Sequence, residues 1–290
     1  MTKHETFRRK LLSRTLTHAM AAHNPLAAKL AEHAGFDSIW GSGFELSASY
    51  AVPDANILSM STHLEMMRAI CSAVAIPVIA DIDTGFGNAI NVSYVIPMYE
   101  AAGVSAVVIE DKTFPKDTSL RPGGRQELVG IEEFQGKVAA ACAARSSEHF
   151  TVIARVEALI AGLGQDEALR RGLAYADAGA GAILIHSKQK TPDEILRFVK
   201  SWPGKVPLVL VPTAYPQLTE ADIAALGNVG LVIYGNHAIR AAVGAMRAVF
   251  SQIRAEGGIA NVDAALPTVE SIMDLQGDAR MRRLESRFLR

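Results

Sequence analysis

Ala102-Gly103-Val104-Ser105, running into Ala106-Val107-Val108-Ile109 and then Glu110-Asp111-Lys112, is where the fold of this chain becomes readable. An amphipathic stretch ends, a glycine offers the left-handed turn that closes a helix, and a short aliphatic strand follows. The same joint recurs at Ala34-Gly35-Phe36-Asp37 before Ser38-Ile39-Trp40, and at Ala178-Gly179-Ala180-Gly181 before Ala182-Ile183-Leu184-Ile185. Repeated αβ joints predict strands at Leu16–Ala21, Ser38–Trp40, Val78–Asp81, Ala106–Ile109, Thr151–Arg155, Ala182–Ile185, Leu208–Val211 and Leu231–Ile233. Helical segments separate them, among them Leu26–His33, Asn88–Ala101, Ile131–Ala144 and Asp166–Ala178. Short aliphatic strands without alternation are buried on both faces, which means a parallel sheet. Eight such units predict an α/β fold closed as a (β/α)8 TIM-type barrel, with an open sheet of six or seven strands as the alternative.

The 290 residues suit one such barrel. The expected division is a catalytic barrel at 1–257, carrying a loop at 113–127, and a helical extension at 258–290. That extension holds a helix near Thr268–Leu275 and a charged end from Asp278 to Arg290. A helix added after a complete barrel often packs on a neighbouring subunit, so a homo-oligomer, dimer or tetramer, is expected.

Composition excludes several classes. With 29 Lys and Arg against 30 Asp and Glu, there is no basic surplus to bind nucleic acid. Cys71 and Cys142 are too few for a disulfide framework or a thiolate zinc site, and both lie in apolar helical contexts. No apolar run approaches the roughly 20 residues of a membrane span. His18, His23, Asn24 and Pro25 break the segment that would have to be a signal core after the basic N-terminus, so no signal peptide is expected. A cytoplasmic enzyme with a small-molecule substrate is expected.

In a barrel, chemistry sits where strands run out into the loops that follow. The strand at Val78 runs into Asp81-Ile82-Asp83-Thr84-Gly85-Phe86-Gly87-Asn88, and the next strand ends in Glu110. Asp81 and Asp83 share a face for as long as the strand persists. Crowded carboxylates repel unless a cation or proton intervenes, and oxygen ligands alone suit a hard ion such as Mg²⁺. Taken alone, Asp-x-Asp reads sooner as a polar turn and helix cap; with Glu110 in register on the next strand, the cation site is the better reading. Trp40-Gly41-Ser42-Gly43-Phe44 exposes backbone N–H groups that can take an oxyanion, or simply turns the chain. Arg155 and His186 also stand at strand ends; an Arg fork there binds two oxygens, and His186 can donate a hydrogen bond. His18, His23 and His237 are weaker candidates. The irregular run Thr113 to Glu127, with Pro115, Pro122, Gly123 and Gly124, leaves directly from the Glu110 strand and reads as a lid, or as a mobile surface excursion.

Together WGSGF, DIDTGFGN, EDKTFPKDTS, IARVEA and LIHS, in this order between Leu16 and Asn236, resemble the phosphoenolpyruvate mutase and isocitrate lyase superfamily. The resemblance implies a barrel whose C-terminal helix is exchanged between subunits, and a Mg²⁺ ion that bridges the carboxylate and carbonyl of a 2-oxo acid; Mn²⁺ or Co²⁺ would substitute. It implies Asp81 as the direct metal ligand, with Asp54, Asp83 and Glu110 holding metal-bound waters. It places the substrate against Trp40 and the N–H groups of Ser42, Gly43 and Phe44, and its phosphoryl group near Arg155 and His186. Lys116, Thr118 and Ser119 fall in the gating loop. Lyases of the superfamily carry a catalytic cysteine in that loop, whereas this chain reads Lys116-Asp117-Thr118-Ser119. The mutase has Asn where Thr118 stands. Thr118 therefore points to the hydrolytic branch, which cleaves the carbon–phosphorus bond of phosphonopyruvate through a pyruvate enolate. Mutase activity is the alternative, followed by a lyase of another 2-oxo or 2-hydroxy acid and by a non-catalytic binding barrel.

Overall fold

All three glycine joints close their helices as expected: Gly35, Gly103 and Gly179 adopt φ of 89°, 90° and 106°, a region that costs an L side chain strain. The computed structural model describes residues 1–13, 15–119, 121 and 123–289. Pro122 of the expected lid and the terminal Arg290 lie outside the described residues. Eight parallel strands form a closed barrel in sequence order, β1 pairing with both β2 and β8. They are β1 (Thr17–Ala22), β2 (Ser38–Gly41), β3 (Val78–Asp81), β4 (Ala106–Glu110), β5 (Thr151–Val156), β6 (Ala182–Ile185), β7 (Leu208–Leu210) and β8 (Val229–Tyr234). The closed barrel rules out the open-sheet alternative. Strand ends differ from the expected ones by a residue or two, since aliphatic content does not register where pairing stops.

Helix α1 (Lys3–Leu12) precedes β1, and the strands are followed by α2 (Pro25–His33), α3 (Gly43–Ser49), α4 (Met60–Ala73), α5 (Ala89–Ala101), α6 (Ile131–Ala144), α7 (Gly164–Asp177), α8 (Asp193–Ser201), α9 (Glu220–Ala225) and α10 (His237–Glu256). Then come α11 (Val269–Gln276) and α12 (Asp278–Phe288), the latter occupying the stretch that reads only as a charged tail in sequence. The chain forms two compact units that divide after Ile239, within α10.

Alternation along each strand separates two layers. Ala19, Ala21, Trp40, Ile79, Val108, Ile153, Leu184, Val209 and Ile233 fill the barrel interior, joined by Phe7 and Leu11 of α1 at the end where the strands begin. Val78, Ala80, Val107, Ile109, Val152 and Ala154 face the helices instead. Fully burying one such aliphatic side chain contributes roughly 1.5–3 kcal/mol, so this packed interior fixes the strand register on which the site depends.

Candidate active site

Two residues beyond an inward-facing residue, a strand still points inward, now at the open mouth of the barrel. Asp81 follows Ile79 in this way, Glu110 follows Val108, Arg155 follows Ile153, and His186 follows Leu184. Four neighbouring strands thus deliver a carboxylate, a second carboxylate, a guanidinium and an imidazole to one place. Glu110 and Arg155 are direct register partners, and Arg155 Nε lies 3.4 Å from Glu110 Oε2. Trp40, Ser42, Phe44, Asp54, Asp81, Lys116, Thr118, Ser119, Arg155 and His186 all line one cavity of about 70 Å³, room for a few waters or one small ligand.

Asp83 reaches the cluster by another route than the expected alternation. β3 stops at Asp81, and Asp83 turns back with φ of 52°, so its carboxylate arrives from a turn. Its carbonyl accepts from Glu110 N at 2.8 Å, which ties that turn to β4. Asn88 closes the segment by accepting from Ile90 N and Asn91 N at the start of α5. Ser42 caps α3 by accepting from Glu45 N, so the WGSG run opens a helix where sequence offers only a turn. Gly43 N–H faces Asp81 Oδ2 at 3.4 Å.

Lys116 enters this cluster from the 113–127 loop. Its Nζ stands 2.5 Å from Asp83 Oδ1, 3.0 Å from Asp54 Oδ1 and 3.9 Å from Glu110 Oε1. Asn56, which sequence reasoning missed, secures the approach: its Oδ1 accepts from Lys116 N and its Nδ2 donates to Asp83 Oδ2. Burial, then the neighbouring carboxylates, raises Asp81 and pushes Asp83 up to about 7, although Lys116 opposes both shifts. Burial works against the Lys116 charge, but Asp83, Glu110 and Asp54 more than offset it and hold its pKa well above the usual lysine value. Four carboxylates therefore face one ammonium and one guanidinium, and the surplus negative charge suits a cation.

Two observations test that fit. Glu110 Oε1 is buried without a hydrogen-bond donor, and so is Asp83 Oδ1, whose close contact with Lys116 is an ion pair outside hydrogen-bond geometry. Among the described residues, no three His, Cys, Asp or Glu side chains converge as direct ligands of one ion. An oxygen-only set with orphaned carboxylate oxygens fits a hard, Mg²⁺-like ion.

Beside the carboxylates, Arg155 is held by Glu157, a fully buried residue that follows it in the IARVEA motif but to which the sequence alone assigns no role. Arg155 Nε donates to Glu157 Oε1 at 2.6 Å, and its Nη2 contacts His186 Nδ1 at 3.0 Å. Burial opposes both charges; the mutual attraction wins, holding Glu157 well below the usual carboxylate range and raising Arg155. Arginine is only a donor, so His186 Nδ1 accepts and its proton is assigned to Nε2. Its 3.3 Å approach to Glu157 Oε1 is then a contact between two acceptors, tolerated because Arg155 bridges both. Burial, followed by Arg155, lowers the His186 pKa, in keeping with a neutral ring.

Lys116 and Ser119 of the 113–127 loop are buried, and the stem of the loop closes through Thr113 N to Glu127 O and a bridge between Lys112 and Leu128. Val211, Thr213, Gly235 and Asn236 also line the cavity; they carry no chemical signature that a sequence reading could have used. Of the weaker histidine candidates, His23 pairs with Glu45 and His18 with Asp37 and Glu220, and neither they nor His237 line this cavity.

Comparison with known proteins agrees with this geometry. A family model described as phosphoenolpyruvate phosphomutase matches residues 7–254. A phosphonopyruvate hydrolase from Variovorax sp. (strain Pal2) is 77% identical over 290 residues, covering 100% of both chains. A phosphoenolpyruvate phosphomutase from Tetrahymena pyriformis is 40% identical over 277 residues, 96% of this chain and 92% of the relative. A crystal structure of phosphonopyruvate hydrolase in complex with oxalate and Mg²⁺ matches with a TM-score of 0.96 at 75% identity, covering 100% of each chain. A (β/α)8 barrel with an oxygen-rich mouth, matched over nearly its whole length in sequence and structure, makes this chain a member of the phosphoenolpyruvate phosphomutase family.

Proposed function

We propose that the chain hydrolyses the carbon–phosphorus bond of phosphonopyruvate, giving pyruvate and phosphate. The observation that carries this reading is the composition of the lid: Thr118, between Lys116 and Ser119, lines the cavity that also holds Asp81, Arg155 and His186. Full-length identity of 77% to a phosphonopyruvate hydrolase supports the same reaction, and the lid has no cysteine to serve a carbon–carbon lyase.

Asp81, with Asp54, Asp83 and Glu110, would hold Mg²⁺, for which Mn²⁺ or Co²⁺ can substitute. Bound there, the ion supplies Lewis-acid stabilisation of negative charge developing on the 2-oxo acid. The N–H groups of Ser42, Gly43 and Phe44 orient the carboxylate and carbonyl of the substrate against Trp40. The Lys116 ammonium, which stands between Asp83 and Asp54 at the same cavity, would offer its charge to the phosphoryl oxygens. Arg155 and the His186 Nε2–H grip the same oxygens, holding the phosphorus during a loose transfer. Thr118 supplies a hydroxyl at the phosphorus, to orient the attacking water or to attack. The enolate that departs takes a proton at carbon to become pyruvate, and the water oxygen ends in phosphate. Phosphate and pyruvate released in equal amounts from phosphonopyruvate, by molybdate and lactate dehydrogenase assays, are the expected result; accumulation of phosphoenolpyruvate would make the chain a mutase instead.

The barrel within 1–257 is the catalytic part of this reading, and the outer face of α10, with residues 258–290, serves assembly. Only Ile239 of the twenty residues of α10 is buried, and α11 and α12 bury none, which leaves Met246, Phe250, Met273 and Phe288 exposed. Apolar surface of that kind belongs against another subunit, in keeping with an exchanged helix and a homo-oligomer. No helix among the described residues is long and apolar enough to cross a membrane, and a cytoplasmic location is part of the same proposal.

A further inference from the structure

Ser119 has a hydroxyl with no capacity left. One O–H and two lone pairs are all a serine offers, and each is taken. Its Oγ donates to Glu157 Oε2 at 2.5 Å and accepts from Lys112 Nζ at 2.6 Å and from Arg155 Nη2 at 3.1 Å. Lys112 is a buried lysine that the catalytic reading does not use. Besides Ser119, its Nζ donates to the carbonyl of Asp117 at 2.8 Å and lies 3.4 Å from Glu157 Oε2. Glu157 is anchored from behind, its N–H donating to Asp111 Oδ1, while Arg171 and Tyr175 donate to Asp111 Oδ2. A rigid receptor on the barrel thus meets a hydroxyl carried by the lid.

We propose that Lys112 and Glu157 are positioning residues that form the seat of a latch: they hold the 113–127 loop closed through the Ser119 hydroxyl and, in the same bonds, fix the plane of Arg155. Ser119 is then a fastener of the lid and not a ligand of the substrate. Lys112 belongs to the stem of the loop, so when Ser119 lifts away the Lys112–Glu157 pair stays together and neither buried charge is stranded. What Arg155 grips rests on the hydrolase reading; the latch itself does not.

The test uses full-length parent, Ser119→Ala and Lys112→Met enzymes with Mg²⁺ and saturating oxalate. Trypsin cleavage after Lys116 and Arg125 reports the closed lid, calorimetry gives the oxalate Kd, and turnover of phosphonopyruvate gives kcat and KM. The latch predicts cleavage at least about 10-fold faster in both variants, oxalate Kd within about threefold of the parent, and kcat lower by roughly 10–100-fold. Cleavage of Ser119→Ala at the parent rate, or an oxalate affinity that falls in step with kcat, would overturn it. Should Lys112→Met fail to fold, Ser119→Ala decides alone, since removing one hydroxyl leaves the Lys112–Glu157 pair in place. A parent that does not turn over phosphonopyruvate refutes the hydrolase reading, and the cleavage rates still judge the latch.

Discussion

Arg155 has three of its five donors committed within the protein: Nε to Glu157, and both Nη2 hydrogens to Ser119 and His186. That leaves the Nη1 edge to meet a ligand oxygen in a plane set by the other three. A lysine offers a point charge and cannot reproduce this fork. Arg155→Lys is therefore expected to lower kcat/KM for phosphonopyruvate by about 100-fold or more; a loss under tenfold in steady-state assays would show that charge alone is enough. Thr118 carries a different demand. Thr118→Ala should reduce kcat by at least about 100-fold while oxalate and Mg²⁺ bind as before, and near-normal turnover would remove the hydroxyl from the mechanism. The residues proposed to meet the ligand stand out in sequence because their types are costly to bury at strand ends: Asp81, Glu110, Arg155 and His186 each stand there. Asn56 does not, and Glu157 and Lys112 fall within the IARVEA and EDKTFPKDTS motifs without a legible role, since a residue that orients another has no chemistry of its own to announce and its partner is distant in the chain.

Among the elements, the Asp81–Gly87 turn and α3 lean on each other at Gly43. A Cβ at position 43 would stand 2.9 Å from Asp83 Oδ1 and 3.5 Å from Asp81 Oδ2, closer to Asp83 than real side chains come. Gly43→Ala is expected to displace the Asp83 carboxylate and weaken Mg²⁺ binding by about tenfold or more, measured by calorimetry with the fold checked by circular dichroism. Unchanged affinity would mean that the turn can yield without disturbing the cation site. The barrel itself was legible because its signal is repeated: three glycine joints and eight aliphatic strands say the same thing independently. A single short element has no such redundancy. α3 hides behind the glycines of WGSGF, and the route of Asp83 depends on a positive φ that no alternation rule foresees. The lid was visible as an irregular run, but its inward fold depends on Lys112, Asn56 and Glu157, whose pairing is tertiary.

For the whole molecule, buried histidines contribute to the loss of stability in acid. Burial pushes His63 down from 6.5 to about 4 and also lowers His186. The unfolded chain takes up these protons near pH 6.5 while the native protein does not, so stability is full above that value and falls as the pH drops toward the native values. His63 alone contributes roughly 2 kcal/mol of loss between about pH 6.5 and 5. Urea unfolding should show it as a lower midpoint at pH 5 than at pH 7.5, with a smaller drop in His63→Gln; equal drops in the two proteins would mean that His63 is not held neutral. Assembly belongs to the same scale: light scattering on the full chain is expected to give a dimer or tetramer, and a monomer would deprive the exposed faces of α10 to α12 of their proposed partner. The central claim is the reaction, and ³¹P NMR of the protein with phosphonopyruvate and Mg²⁺ tests it most directly. The phosphonate signal is expected to give way to inorganic phosphate alone, with matching pyruvate, and EDTA to stop the conversion. A phosphoenolpyruvate signal, or phosphate release that EDTA leaves untouched, would contradict it.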